Sequence, residues 1–259
     1  MVLATFGTTH DQEDDFVEHI RNELAERHPE MDVFIAFTSR IVSAQRRKKG
    51  EAANALAQVL SELSGLGYTH VAVQSLHVAP GMEFAMLSDI AKRFADMPKG
   101  IRRTVVGHPL VYNDKNAERL AAVLSAELPE SRAPEDAVVF VGHGAKLPSG
   151  TLTYPALQAY FWQRDANIFV GTVEGSLGAE TIRDMLLARG IRKVWLAPLL
   201  AYYGAHARCD IFGEKDSWVS VLESAGIHCT PVEKALLARP SVTAMWVENA
   251  VKALEELEE

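Results

Sequence analysis

Two histidines and two glutamates occupy positions where a side chain can meet a ligand. His143 lies between Gly142 and Gly144, directly after the apolar run Val138-Val139-Phe140-Val141. Flanking glycines let backbone and ligand approach closely. An imidazole in such a turn can bind a divalent metal or accept a proton near neutral pH, although a turn or helix-capping histidine would look the same. His206 follows the apolar run Val194–Leu200 and a Tyr202-Tyr203-Gly204 turn. It offers a second nitrogen ligand or, more plainly, a surface histidine at a helix start. Glu83, after Pro80-Gly81, offers an oxygen ligand or a proton acceptor, against the plainer role of a first-turn glutamate favoured by the helix dipole. Glu174, with Gly175 behind it, can shuttle protons, orient a histidine or cap the next helix. Two histidines with a carboxylate give the mixed nitrogen and oxygen ligation that suits Co²⁺, Ni²⁺, Fe²⁺ or Zn²⁺.

A basic group stands out from an acidic background: Arg40, then Arg46-Arg47-Lys48-Lys49. Such a group can hold a ligand rich in carboxylates. Arg40, directly after a strand, is the stronger candidate; for Arg46–Lys49 a solvated helix face explains the charges equally well. His77 ends an apolar run and is expected to be a satisfied buried histidine. His10 sits in a Thr-Thr-His-Asp turn and reads as support for a helix start, with Asp11, Glu13 and Asp14 as its acidic first turn. Cys209 and Cys229, the two cysteines, have no C-x-x-C spacing, so neither a disulfide framework nor a structural zinc site is expected.

These residues fall at the ends of a regular series of elements. Short β-branched runs near Val2–Phe6, Asp32–Thr38, His70–Leu76, Arg102–Val106, Ala137–Gly142, Ile168–Val173, Lys193–Leu200 and His228–Val232 alternate with helical patterns such as Asp14–Arg27, Ala52–Leu63, Ala117–Leu128, Glu180–Ala188 and Val242–Leu257. Strand–helix alternation predicts an α/β fold with parallel sheets flanked by helices. The halves also resemble each other. Gly67-Tyr68-Thr69-His70-Val71 matches Gly190-Ile191-Arg192-Lys193-Val194, a register that sets Gly81 on Gly204 and Glu83 on His206. Phe34-Ile35-Ala36 matches Phe169-Val170-Gly171, and Phe6-Gly7-Thr8 matches His143-Gly144-Ala145. Two similar domains follow, residues 1–128 and 137–259, joined by the polar, proline-bearing Pro129–Asp136 and facing across a cleft. The last helix is free to pack back on the first half. In such sheets ligands bind outside the carboxyl ends of the strands, which is where the candidate residues lie.

Other classes lose weight. The formal net charge of −8 argues against nucleic-acid binding. No apolar run reaches the length of a membrane span. The absence of a basic segment ahead of the first apolar run predicts a cytoplasmic protein, or a periplasmic one if a leader once preceded it. There is no Walker A sequence, G-x-S-x-G elbow or H-E-x-x-H, and no complete G-x-G-x-x-G opens a helix. A homo-oligomer stays open, since no coiled-coil seam is present.

With these pieces in order, the sequence resembles the long, two-domain sirohydrochlorin cobaltochelatases of anaerobic cobalamin synthesis, in the class II chelatase group that includes ferrochelatase. The resemblance rests on Phe6-Gly7-Thr8, Ala36-Phe37-Thr38-Ser39, Gln74-Ser75-Leu76-His77 with Gly81-x-Glu83, Gly142-His143-Gly144-Ala145, Val173-Glu174, Gly204-x-His206-Ala207 and Asp216-Ser217-Trp218. It implies insertion of Co²⁺ into the tetrapyrrole sirohydrochlorin without ATP. The alternatives are Fe²⁺ insertion to give siroheme, or a non-catalytic tetrapyrrole or metal carrier. It further implies that His143, His206 and Glu83 are the metal ligands and catalytic residues, with His143 as base for the pyrrole N–H protons. Phe6, Thr8, Arg40 and Glu174 would contact the macrocycle. No cofactor is implied beyond the substrate metal, which is Co²⁺ with Fe²⁺ or Ni²⁺ as alternatives. The chain departs from the family pattern at Lys146-Leu147-Pro148-Ser149, where further histidines are common, at Ala205 in place of an aspartate, and at Cys209 in place of an asparagine, while Asp210 is kept.

Overall fold

The computed structural model describes residues 1–8 and 14–259; His10 and its acidic neighbours Asp11 and Glu13 lie outside the described residues. In chain order the elements are β1 (Val2–Thr5), α1 (Asp14–Arg27), β2 (Phe34–Phe37), α2 (Arg40–Lys48), α3 (Leu56–Gly65), β3 (His70–Ser75), α4 (Met82–Phe94), β4 (Arg103–Gly107), α5 (Asp114–Ala126), β5 (Ala137–Gly142), α6 (Pro148–Thr151), α7 (Thr153–Trp162), β6 (Ile168–Thr172), α8 (Ala179–Ala188), β7 (Lys193–Pro198), a π-helical turn (His206–Ile211), α9 (Trp218–Ser224), β8 (His228–Pro231) and α10 (Pro240–Glu258). Each expected strand is present. They form two four-stranded parallel sheets, ordered β2-β1-β3-β4 and β6-β5-β7-β8, so the α/β fold class is as the alternation predicts. Among the described residues no helix is long and apolar enough to cross a membrane.

The chain divides into two compact units, residues 1–110 with 243–259, and residues 111–242. The first unit ends at 110 where the sequence division has 128, while the last helix groups with the first half, an arrangement that the sequence leaves open. The helix α5 groups with the second unit because Leu120, Ala121 and Leu124 are buried and α5 packs on α7. Most of α10 groups with the first. Trp246 there is fully buried, its indole N–H donates to the His77 carbonyl at 3.3 Å, and the Asn249 amide donates to the carbonyls of His108 and Pro109.

Each core follows from its strands. The central strand β5 is buried along its whole length, as expected of a strand covered on both faces. Its neighbours bring Phe169, Val194 and Leu196 into one cluster with Ile182 and Leu186 of α8 and Leu222 of α9. The first unit packs Val2, Ala4, Val71 and Val73 against Leu60 and Leu63 of α3 and Leu87 of α4. The edge strand β6 is closed by a side chain: Gln158 of α7 donates to the Ile168 carbonyl at 2.8 Å and accepts from the Val170 N–H at 2.7 Å.

The internal repeat is carried into hydrogen-bond register. Val2 pairs with Phe34 and with Val73 in the first sheet; Val139 pairs with Phe169 and with Leu196 in the second. These are equivalent positions under the sequence alignment of the halves. Gly7 and Gly144 both take left-handed φ, at 81° and 91°, and so do Gly67 and Gly190, at 89° and 71°.

One sequence reading is corrected in the first unit. Arg46 is not on a solvated face: it is 9% exposed, donates to the Thr8 carbonyl at 3.1 Å, pairs with Glu51 at 2.8 Å and covers the Phe37 ring. Burying a guanidinium is tolerable only with such partners, and its long stem reaches inward from α2. Arg40, Arg47, Lys48 and Lys49 are exposed. His77 is satisfied, with Ser75 Oγ 2.9 Å from Nδ1 and Thr38 Oγ1 3.1 Å from Nε2. Burial pushes its pKa down from 6.5 to about 4.

That depression has a sign. Below pH 6.5 the unfolded chain takes up a proton that folded His77 refuses, so the first unit loses stability as pH falls from about 6.5 to about 4, with a slope of up to roughly 1.4 kcal/mol per pH unit. Denaturant unfolding followed by Trp246 fluorescence should show this slope, and His77→Gln, whose amide can still meet Thr38 and Ser75, should flatten it. An unchanged slope in the variant would assign the pH dependence to other groups.

Candidate metal site

The second unit builds its site from two neighbouring strand ends. β5 and β7 pair in parallel through Val141 and Pro198, and the Leu199 N–H donates to the Val141 carbonyl at 2.7 Å, so the pairing runs to the carboxyl end of both strands. His143 is the first residue past β5. His206 follows β7 after the Tyr202-Tyr203-Gly204 turn and opens the π-helical turn. The two rings lie 4.6 Å apart between centroids and nearly perpendicular, at 87°. His143 is half-buried and His206 exposed. Two imidazoles edge to face at this separation are within reach of one small cation.

The loop bearing His143 is fixed through its backbone. The Val173 N–H donates to the Gly142 carbonyl at 2.9 Å, and the Glu174 N–H to the His143 carbonyl at 2.8 Å. The Gly144 N–H donates to the Tyr154 hydroxyl at 3.1 Å, and burial raises the Tyr154 pKa to about 12, which keeps it a neutral phenol. The flanking glycines therefore answer to the protein. A Cβ on Gly142 would lie 2.3 Å from the Tyr154 ring, and one on Gly144 would lie 2.0 Å from the Glu174 carbonyl oxygen. Sequence reading assigned this closeness to a ligand; the close approach is between strand-end loops.

Glu174 is thus beside His143 through its backbone, while its carboxylate faces Lys146 at 3.6 Å. It does not cap α8, whose N-cap is Gly178. The His143 ring has no hydrogen-bond partner among the described residues. His206 is different: its Nδ1 is 2.7 Å from Asp210 Oδ2. Asp210 was noticed in the sequence only as a retained residue; the four-residue spacing on one helical face was the available signal. Within this unit, no third His, Cys, Asp or Glu among the described residues completes a three-ligand group with the histidine pair. Cys209 is exposed on the π-helical turn and Cys229 is buried in β8, where burial pushes its thiol pKa up to about 12.

The remaining expected residues belong to the first unit, at the carboxyl ends of its own strands. Glu83 is exposed in the first turn of α4, two residues past the N-cap Gly81, the place His206 takes in the second unit. Phe6, just past β1, is 37% exposed. Thr8 is buried, and its carbonyl accepts from Arg46. Arg40 opens α2 and is exposed. The Asp216-Ser217-Trp218 piece is packing: Ser217 caps α9 by accepting from the Ser220 N–H, and the Trp218 ring occupies the space a Cβ on Gly171 would fill.

Known proteins match this chain over nearly its whole length. A family model described as cobalt chelatase (CbiK) matches residues 1–255. Sirohydrochlorin cobaltochelatase CbiKC of Nitratidesulfovibrio vulgaris is 35% identical over 265 residues, covering 100% of this chain and 92% of that protein. Sirohydrochlorin cobaltochelatase of Salmonella typhimurium is 31% identical over 257 residues, covering 98% of this chain and 96% of that one. Among solved structures, SirB from Bacillus subtilis with Fe³⁺ has a TM-score of 0.65 at 11% identity, with 99% of this chain and 96% of that chain covered. CbiX, described as the terminal enzyme of siroheme biosynthesis in denitrifying bacteria, has a TM-score of 0.61 at 18% identity, with 97% of each chain covered. The two structural likenesses concern the fold.

The loop geometry makes a sharp test. Gly144→Ala forces a side chain into a left-handed position and against the Glu174 carbonyl. It should destabilise the second unit by roughly 1–3 kcal/mol, read as a lowered denaturant midpoint. A midpoint equal to that of the parent would show that the loop is not held by this contact.

Proposed function

The chain belongs to the cobalt chelatase (CbiK) family, and we propose that His143 and His206 supply the metal-facing nitrogens and the base with which it works. It is a sirohydrochlorin cobaltochelatase: it inserts Co²⁺ into sirohydrochlorin. The observation that carries the assignment of residues is the perpendicular pair of imidazoles, 4.6 Å apart at two adjacent strand ends.

Insertion exchanges two pyrrole N–H protons for one divalent cation. The protein must hold a partly dehydrated metal, hold the ring and take up protons. Neutral imidazole can do the first and the last, though not with one nitrogen at one moment. The pair divides these tasks. His206 has Nδ1 engaged by Asp210, which leaves Nε2 as its one outward nitrogen and suits it to the metal. His143, with no ring hydrogen bond among the described residues, can present the single lone-pair nitrogen of its neutral ring from either side, to the metal or, once the metal has left it, to a pyrrole N–H proton. Two neutral nitrogens make a deliberately incomplete ligand set, appropriate to a cation that must leave for the macrocycle. Glu83 adds the carboxylate that would offset its charge.

Phe6 and Arg40 are proposed to meet the macrocycle, the ring through an exposed aromatic face and the peripheral carboxylates through a guanidinium. Thr8 contributes through the backbone that Arg46 holds, and Glu174 as a charge beside the ring. Metal exchange without ATP is part of the same proposal, as the resemblance to ATP-independent chelatases implies. Co²⁺ is the metal assigned, with Fe²⁺ and Ni²⁺ compatible with the same donors.

Anaerobic spectroscopy with sirohydrochlorin and Co²⁺ tests this. His143→Ala should slow protein-dependent insertion by about 10²–10⁴-fold while leaving the unfolding midpoint near that of the parent, because the side chain lies outside the core. Glu83→Gln and His206→Ala should weaken use of Co²⁺ more than binding of sirohydrochlorin. An active His143→Ala variant would remove its role as base, and equal losses for metal and tetrapyrrole would remove the separation of roles.

A further inference from the structure

The π-helical turn that carries His206 also carries Asp210. Ala207 and Ile211 of this turn are fully buried in the second unit's core. Their four-residue spacing fixes the neighbouring pair, His206 and Asp210, side by side on the outward face. The turn is wide. The Phe212 N–H donates to the Ala207 carbonyl at 3.0 Å, a bond to the fifth residue back, and such bulges recur at functional sites. Gly213 ends it because a Cβ there would lie 2.2 Å from the Cys209 carbonyl oxygen.

Asp210 has no other hydrogen-bond partner among the described residues. It caps no helix. Its carboxylate is spent on one atom, His206 Nδ1, at 2.7 Å. We propose that Asp210 is a positioning residue that fixes the Nδ1–H tautomer of His206 and presents Nε2, in one ring orientation, to the incoming cation. A carboxylate behind a ligating imidazole fixes its tautomer and removes its rotational freedom. Without it, His206 would divide between two tautomers and two ring faces, and only part of that population could meet the metal. This inference rests on the proposed role of His206.

Co²⁺ binding to the full chain, in the absence of tetrapyrrole, is the measurement, using the visible absorption of Co²⁺ and titration calorimetry. Asp210→Ala should weaken Co²⁺ binding about 10–100-fold, with sirohydrochlorin affinity and unfolding midpoint unchanged, and Asp210→Asn should recover part of the loss by keeping an acceptor. In a His206→Ala background the Asp210→Ala change should add nothing. Nitrogen NMR of imidazole-labelled protein should show His206 as the Nδ1–H tautomer in the parent and a mixture in Asp210→Ala. Weak binding by His206→Ala with parental binding by Asp210→Ala would overturn the positioning role alone. Parental binding by His206→Ala would overturn the reading of the site. A full additional loss in the double variant would make Asp210 an independent contributor and also overturn the proposal.

Discussion

The parallel pairing of β5 with β7 is the constraint on which the site depends. Two residues separated by sixty-odd positions in the chain become neighbours because both follow strands that end side by side in one sheet, held to the end by the Leu199 to Val141 hydrogen bond. A shift of one residue in either strand would turn its side chains to the opposite face and misfit the packing on both faces of a strand that is buried throughout. The core therefore enforces the register, and the register sets the distance between His143 and His206. The imidazoles themselves need contribute nothing to stability for their placement to be reliable.

The same frame is built twice and used differently. Strand order, pairing register and left-handed glycines correspond between the units. At equivalent strand ends the first unit carries Phe6 and Glu83, the second His143 and His206. Equal backbones with unequal side chains are what a duplication leaves when each copy specialises: one edge is apolar and charged, the other is rich in nitrogen donors.

Much of this was legible in the sequence. β-branched runs such as Val138–Val141 and Phe169–Val170 are strongly patterned, so all eight strands were found, and the Gly67 and Gly190 registers aligned the halves correctly. His143 and His206 stood out because strand-end positions are few. Long-range packing was less legible. Nothing local in Arg46 distinguishes a buried guanidinium from an exposed one; its burial depends on Thr8 and Glu51 closing over it. The glycines around His143 could be read as room for a ligand until Tyr154 and the Glu174 carbonyl were seen to occupy that room. α5 and α10 were recognisable as helices, but the sheet each packs on is a matter of tertiary contact, which periodicity does not encode. The pairing of Asp210 with His206 has a sequence signal, their four-residue spacing, but that spacing gains meaning only once the turn's outward face is known.

The grouping of α10 with the first sheet bears on how the protein is made. Residues 1–110 leave the ribosome without the helix that supplies Trp246, Val247 and Ala250 to their core. That helix begins to appear only after residues 111–242 have been synthesised, a delay on the order of ten seconds or more at ordinary elongation rates. During it the first sheet has one face incompletely covered, while the second unit, continuous in the chain, already has every segment it needs. Vectorial synthesis thus reverses the order of the map: the domain encoded second can finish first, and the domain encoded first waits, with apolar surface open to chaperones, for the chain to return.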